Sequence, residues 1–279
     1  MSTSNAELQH WAQSASNWTR NSDRIERFTA ECTAALLDRL QPRPGQRLLD
    51  VAAGSGDPTL RLAQLVGPTG HVMATDGVSD MLAVLQQRAK ERRLGNISVE
   101  VAAAEDLSLT PASFDGACSR FGVMFFADPQ RALAAIRRAV KPDGPLVLAV
   151  WGAREQNPFF SMPFDTLEEL GIPNPTPPDA RTVFEYAEPG KLAALLRAAG
   201  WHEVREDTAR LHMPLAGVSP EGLLDVLCDI SRRTSDRLAP LDAATRDRVR
   251  AGLARRAARY AQGDGLQLPA EVLLVSGRA

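Results

Sequence analysis

Apolar residues recur along this chain first at helical spacing and then in short unbroken runs that alternate with further helical stretches. Residues 5 to 20 and 24 to 40 read as two helices, the second carrying Ile25, Phe28, Cys32, Leu36, Leu37 and Leu40 on one face. Pro42, Pro44 and Gly45 end that pattern. From there the elements predicted are a strand at 47–51, a helix at 58–66, strands at 71–75, 97–101 and 114–118 with a helix at 78–93, then a helix at 129–140 and a strand at 145–150. Such alternation predicts a doubly wound parallel sheet. The helix at 129–140 keeps Leu133, Ile136 and Val140 on one stripe and Arg137 and Arg138 off it, and Pro142-Asp143-Gly144 forms the turn that stops it.

Beyond residue 150 the regular alternation ends. The stretch from Asn157 to Leu170 is rich in Phe and Met and runs into Pro173, Pro175, Pro177 and Pro178, so it reads as a loop or cap over the site. A helix at 189–199 and a strand at about 203–211 resume the core, and a last strand at 271–276 closes it. Between these lie two further helices, one with Leu223, Leu224, Leu227 and Ile230, the other with Val249, Leu253 and Tyr260. The organisation expected is a set of N-terminal helices over 1–45 and one domain over 46–279, with cap insertions at about 155–185 and 213–265. The insertion helices have a second use open to them, as a core extension or dimer face.

The most informative stretch is Arg47 to Leu60, where the apolar run Leu48, Leu49, Val51 carries Asp50 and breaks into Gly54-Ser55-Gly56. This is a buried parallel strand entering a turn whose glycines allow close ligand approach. Pro58 suits the early part of the following helix, where the missing amide costs nothing. The second strand ends at Asp76, about 20 residues beyond Gly56, the offset expected of a ribose-binding acid. A dinucleotide fingerprint needs a third glycine where Thr59 stands, and Asp57 sets negative charge where a pyrophosphate would lie. A nicotinamide cofactor is thereby disfavoured. A strand-end carboxylate such as Asp50 suits a ligand with an ammonium group and a cationic sulfur, which describes S-adenosylmethionine.

Leu48 to Leu60, Ala74 to Met81, Ala103 to Leu107 and Phe114 to Gly144 resemble, in order and at suitable spacing, the successive motifs of class I S-adenosylmethionine-dependent methyltransferases, most closely the UbiE/COQ5-like (methyltransferase type 11/25) branch. The resemblance covers roughly Arg47 to Val150. It implies a Rossmann-like mixed seven-stranded sheet, with N-terminal helices covering the cofactor and a helical cap inserted before the last strand. S-adenosyl-L-methionine is then the donor and S-adenosyl-L-homocysteine the product. It also implies that Gly54 and Gly56 line the methionine and sugar part, that Asp76 binds both ribose hydroxyls, and that Met81 lies near the adenine. Ala52 stands where the loop usually has its first glycine, and Ala103 where an acid often precedes the adenine, which leaves Glu105 or Asp106 for that contact. Asp50, Ser55, Thr59, Gly77, Ala104, Ser119, Arg120 and Phe121 complete the expected cofactor set.

Composition narrows the class without changing it. The 279 residues are 44% hydrophobic and 24% charged with a net charge of −2, which suggests no polyanion partner. Cys32, Cys118 and Cys228 are far apart and odd in number, which argues against a disulfide framework or a zinc site and fits a reducing compartment. The polar N-terminus lacks a signal core, and no stretch approaches the ~20 apolar residues of a membrane span, so a cytoplasmic protein is expected. Arg246, Arg248, Arg250, Arg255, Arg256 and Arg259 share one predicted helix, but Asp242 and Asp247 dilute them and Lys occurs only at 90, 141 and 191. A solvated face explains that helix better than a nucleic-acid patch.

Displacement at a sulfonium already has an activated leaving group, so the protein must chiefly align acceptor and methyl and exclude water. A phenol, carboxylate or stabilised carbanion needs no more; an alcohol or ammonium needs a base. His10, on a helix with Trp11 and Trp18, is the first candidate base and His212 the second, while His71 and His202 begin core strands and read as structural or exposed. The stretch Ser119 to Phe126 follows the fourth strand, where open parallel sheets bind ligands. Phe121, Met124 and Phe125 would form an apolar wall there, the other expected acceptor contacts being Trp11, Trp18, Phe159 and Phe160. Arg120 calls for a carboxylate partner, from the protein or from a ligand. No metal cluster is visible. The chemistry expected is methyl transfer to a small, largely apolar natural product; a quinone-biosynthesis C-methyltransferase is the alternative, and a non-catalytic cofactor-binding module the alternative of another class.

Overall fold

The computed structural model describes the backbone of residues 3–173 and 181–279 and, within these, the side chains of all but residues 3–7 and 10. Three helices, α1 (Thr3–Arg20), α2 (Ser22–Phe28) and α3 (Ala30–Leu40), precede β1 (Arg47–Val51). Then α4 (Thr59–Val66), β2 (His71–Asp76), α5 (Ser79–Glu91), β3 (Ile97–Val101), β4 (Gly116–Arg120), α6 (Pro129–Ala139) and β5 (Pro145–Trp151) alternate. After α7 (Pro158–Glu169) and α8 (Lys191–Ala198) comes β6 (His202–Leu215). The helices α9 (Leu223–Ile230), α10 (Arg232–Leu238) and α11 (Ala243–Ala257) lead to a two-residue β7 (Ala261–Gln262) and to β8 (Gly265–Arg278).

The strands form one sheet in the order β3-β2-β1-β4-β5-β8-β6, with β7 paired to β8 off that path. β1 to β5 are mutually parallel and β8 lies antiparallel between β5 and β6. This is the expected Rossmann-like mixed sheet of seven long strands, enlarged to eight by the short hairpin of β7. The central strands are legible because both their faces are covered: Leu48 to Val51 and Leu146 to Trp151 are buried without interruption. Leu36 and Leu40 of α3 join the same core, each buried leucine contributing roughly 1.5–3 kcal/mol. Strand order reverses between β1 and β4, and it is there that a parallel sheet opens a crevice at its carboxyl ends.

Several expectations are corrected. The helix expected at 24–40 is divided at Thr29 (φ −104, ψ 10), whose hydroxyl donates to the Ile25 carbonyl at 2.8 Å and accepts from Arg120. The fourth strand runs Gly116–Arg120 rather than 114–118, with Phe114 making only an isolated bridge to Val140. The stretch at 157–170 is not a loop: Pro158 starts α7 at a position where no amide is needed, and Phe159, Met162, Thr166 and Leu167 form its buried face despite Pro163. Pro58 sits at the N-cap of α4 and not inside it. α10 was not expected, because only its Leu238 is buried; Ser231 caps it by accepting from the Thr234 amide at 3.2 Å. Tyr260 lies beyond α11 in a short 3₁₀ turn. The last strand begins at Gly265, with Pro269 in the segment that pairs with β6 and not with β5. Pro175, Pro177 and Pro178 lie outside the described residues.

Candidate functional site

A cavity of about 240 Å³ opens at the carboxyl ends of β1, β2 and β4. Its floor is the turn after β1, contributed by Ala52, Ala53, Gly54 and Ser55. Ala52, in the position of the expected first glycine, holds φ 58, so the left-handed backbone is kept while the residue that favours it is not. Gly54 (φ 55) has open space where a side chain would stand. Gly56 (φ 108) serves packing instead: an added Cβ would lie 2.9 Å from Leu85 Cγ of α5.

Asp76 ends β2 at the rim of this turn. Its Oδ2 accepts from the Gly54 amide and its Oδ1 from the Val78 amide, both at 2.9 Å. Burial pushes its carboxyl upward while the two amides oppose that rise. Val78, Met81 and Ala102 to Glu105 extend the cavity as a largely apolar slot. Over it lies α1, with Leu8, Trp11 and Trp18 facing in; a Cβ on Gly77 would come within 2.3 Å of Leu8 Cδ2. Trp11 meets Trp18 edge-on at 5.5 Å and Phe125 at 5.1 Å.

Aromatic rings form the opposite wall. Phe121 (φ 61) stacks on Trp151 with centroids 3.9 Å apart and planes inclined by 5°. Phe160 packs edge-on against Trp151, Phe159 and Phe184, and Phe28 of α2 meets Phe159 at 4.6 Å. Between this wall and the glycine turn, Arg120 and Asp57 form a buried ion pair at 2.6 Å, with 7% and 5% of their side chains exposed. Arg120 Nη1 also donates to the hydroxyls of Thr29 and, at 2.7 Å, Thr33; Thr33 in turn donates to Asp57 Oδ2 at 3.0 Å. Arg120 thus has the carboxylate partner its position calls for, supplied by the protein itself.

Most of the expected residues meet here: Ala52, Gly54, Ser55, Asp76, Gly77, Met81, Ala104, Glu105, Arg120, Phe121, Trp11, Trp18, Phe125, Phe159 and Phe160 all line the cavity. Others do not. Asp50 is fully buried behind the turn, accepting from Thr59 Oγ1 at 2.6 Å, so both residues brace the strand and do not face the opening. Ser119 and Met124 are wholly buried. Asp106 points outward to Arg131 at 3.1 Å. His212 lies in a separate shallow depression with Tyr260 and Gln267, 3.9 Å from Glu31, which removes it from the cavity. The side chain of His10 lies outside the described residues. His71 pairs with Ser98 at 2.8 Å and His202 lies 3.4 Å from Asp143, in keeping with structural or exposed roles.

Asp57, Thr29, Trp151 and Ile25 line the cavity without having been expected. Asp57 was visible as a charge beside the turn, and Arg120 as a cation in need of a partner; their pairing is a matter of tertiary contact. Ile25 and Phe28 read only as part of one stripe of a helix, and Thr29 was not singled out.

The model of the ubiE/COQ5 methyltransferase family matches residues 29–174, the segment that builds the turn, the Asp76 rim and the aromatic wall. The chain belongs to the ubiE/COQ5 methyltransferase family. It is an S-adenosylmethionine-dependent methyltransferase. Among family relatives, the nocamycin O-methyltransferase of Saccharothrix syringae is 30% identical over 254 residues, covering 87% of this chain and 89% of that protein. The ubiquinone/menaquinone biosynthesis C-methyltransferase UbiE of Ectopseudomonas mendocina (strain ymp) is 34% identical over 142 residues, covering 50% of this chain and 52% of that enzyme. The fold matches a putative methyltransferase from Bacillus halodurans C-125, with TM-score 0.54 at 18% identity, over 88% of this chain and 97% of that one. Among the described residues no helix is long and apolar enough to cross a membrane.

Proposed function

We propose that this methyltransferase acts in the cytoplasm on a small, largely apolar acceptor of natural-product type. The observation that carries the reading is the aromatic wall of Phe121, Trp151, Phe159 and Phe160, which shares one cavity with the Gly54 turn and the Asp76 carboxylate. The similarity to the nocamycin enzyme across most of both chains supports it, whereas the similarity to the quinone enzyme covers about half of each.

The residues present fit the donor. Asp76 offers carboxylate oxygens to hydroxyls, Val78, Met81 and Ala102 to Ala104 form an apolar slot for a planar ring with Glu105 at its polar edge, and the open space at Gly54 admits a ligand close to the backbone. Phe121 and Trp151 offer π-faces suited to a cationic sulfur. When bound, the donor supplies a methyl group on a leaving group that is already activated. The chain's own contribution is alignment and the exclusion of water by α1, α2 and α7, whose Trp11, Phe28 and Phe159 close over the cavity. On this reading the described part of residues 1–45 covers the donor, and the described parts of the insertions at 155–185 and 213–265 cover the acceptor through Phe159, Phe160, Val183 and Ile230. Among the described residues no histidine lines the cavity, and such a site serves an acceptor that ionises by itself, a phenol, carboxylate or stabilised carbanion, better than an alcohol or ammonium.

Calorimetric titration with S-adenosylmethionine, S-adenosylhomocysteine and NADH, followed by labelled-methyl transfer to a panel of phenols, quinols, carboxylic acids, alcohols and amines, tests this. Binding of the adenosyl ligands with transfer to phenols or acids is expected. Binding of NADH alone, or transfer confined to amines and alcohols, would overturn it.

A further inference from the structure

One buried cation of α5 joins the floor of the cavity to a helix that covers it. Arg88, with 7% of its side chain exposed, donates through Nη1 to the Ser55 carbonyl at 2.8 Å. Through Nη2 it donates to Asp23 at 3.3 Å and to Glu26 Oε2, both on α2. Ser55 lines the cavity, as do Ile25 and Phe28 of α2, whereas Arg88 and Glu26 do not. Arg92, one turn further along α5, also binds Glu26, Nη1 to Oε1 at 3.1 Å and Nη2 to Oε2 at 2.6 Å. Among the described residues the hydrogen bonds of Arg92 go to Glu26 alone, so they end at α2 and do not reach the turn. A guanidinium is tolerated inside a protein when it is paired and hydrogen-bonded, and its planar fork can serve two acceptors in different directions at once.

We infer that Arg88 is a positioning residue for donor binding, one that ties the shape of the Ser55 turn to the seating of α2 so that the two are set together. The inference rests on the donor reading above. Arg88 and Glu26 stand outside the cavity, yet both govern its affinity, because a ligand meeting a loose turn and a loose α2 would have to order them itself at the expense of binding. Leu85, one turn before Arg88, packs against Gly56 from the same helix, so α5 supports two successive residues of the turn, one by contact and one by a hydrogen bond. Only the second support extends to α2. Glu26 therefore acts on the turn through Arg88, and Arg92 serves to fasten α2 to α5 without touching the turn.

A double-mutant cycle read on ligand affinity tests this. S-adenosylhomocysteine is titrated calorimetrically into the wild type, Arg88→Met, Glu26→Gln, the double variant and Arg92→Met, each with native circular dichroism and a urea midpoint measured without ligand. Arg88→Met and Glu26→Gln should each weaken binding about tenfold, a coupling of ordinary size between a remote group and a site. The double variant should bind no more weakly than Arg88→Met, since a relay already cut has nothing further to lose. Arg92→Met, which removes two bonds to Glu26 and leaves the relay whole, should lower the urea midpoint and keep affinity within about twofold. A tie that serves stability alone would lower midpoints and leave the affinities of the folded variants alike. Unchanged affinity in Glu26→Gln, a mild change at a partly exposed position, would overturn the inference even if Arg88→Met failed to fold. Additive losses in the cycle, or equal weakening by Arg92→Met, would overturn it too, and in all three cases the donor reading stands. A wild type that binds no S-adenosylhomocysteine would bring down both.

Discussion

Asp50 allows a prediction about stability that is separable from binding. It is fully buried at the end of β1, with Oδ2 accepting from Thr59 at 2.6 Å and Oδ1 from the Cys118 thiol at 3.6 Å. Burial is the largest influence and pushes its carboxyl from 3.8 up to about 6, although the Thr59 hydrogen bond and the Arg120 charge pull the other way. Because the folded-state value lies above the unfolded one, the native protein holds this proton more tightly. Its contribution to stability is therefore fully present below about pH 4 and is lost as pH rises through about 6, a change of about 3 kcal/mol for the gap between 3.8 and about 6. Asp50→Asn keeps the shape and cannot ionise. Urea unfolding of both proteins from pH 4 to 7.5 should show the wild type losing about 3 kcal/mol relative to the variant, most steeply between pH 4 and 6. Carboxyls held low by their partners, such as Glu26 beside Arg92 and Arg88, are common to both proteins and cancel in the difference. A difference that stays flat across this range would refute the reasoning, since it would mean that Asp50 titrates as it does in the unfolded chain.

Asp76→Ala removes the acceptor of the Gly54 and Val78 amides together with the rim carboxylate, and should weaken S-adenosylhomocysteine binding by roughly 2–4 kcal/mol; an unchanged calorimetric affinity would count against its role. Ala52→Gly relieves a left-handed backbone worth about 1–2 kcal/mol, of which the glycine returns roughly half as entropy, so a rise in melting temperature of about 1–2 °C is expected and a fall would show that Ala52 is not strained. Gly77→Ala brings a methyl within 2.3 Å of Leu8 Cδ2 and should displace that side chain of α1 from the cavity; donor affinity should drop and recover in the double variant with Leu8→Ala, and absence of recovery would exclude the contact as the cause.

What could be read from the sequence, and what could not, divides along the range of the interactions involved. β1 and β5 are largely apolar runs buried on both faces, and β2 is a shorter apolar stretch with His71 and Met73 half-buried, so their identity is written locally, and the Gly54 turn and Asp76 follow from their position at strand ends. α6 likewise announces itself through Asp128, whose side chain accepts from the Arg131 amide, and Pro129 behind it. α7 was obscured because the proline cluster that begins at Pro173 speaks for a loop, whereas contact with Phe28, Trp151 and Phe184 buries its Phe-rich face. The break at Thr29 coincides with a hydrogen bond from Arg120, 91 residues away, which no local pattern announces. The same long reach explains the site residues that were missed or misplaced. A strand-end aspartate reads identically whether it lines the cavity, as Asp76 does, or accepts from Thr59 behind the turn, as Asp50 does. His212 was a candidate base by its place at a strand end, yet it lies in a depression separate from the cavity. Charged residues inside a fold are intelligible only in pairs, and for Asp57 and Arg120 the two halves lie on different strands' exits, so each was noticed and neither could be assigned to the other until the sheet set β1 beside β4.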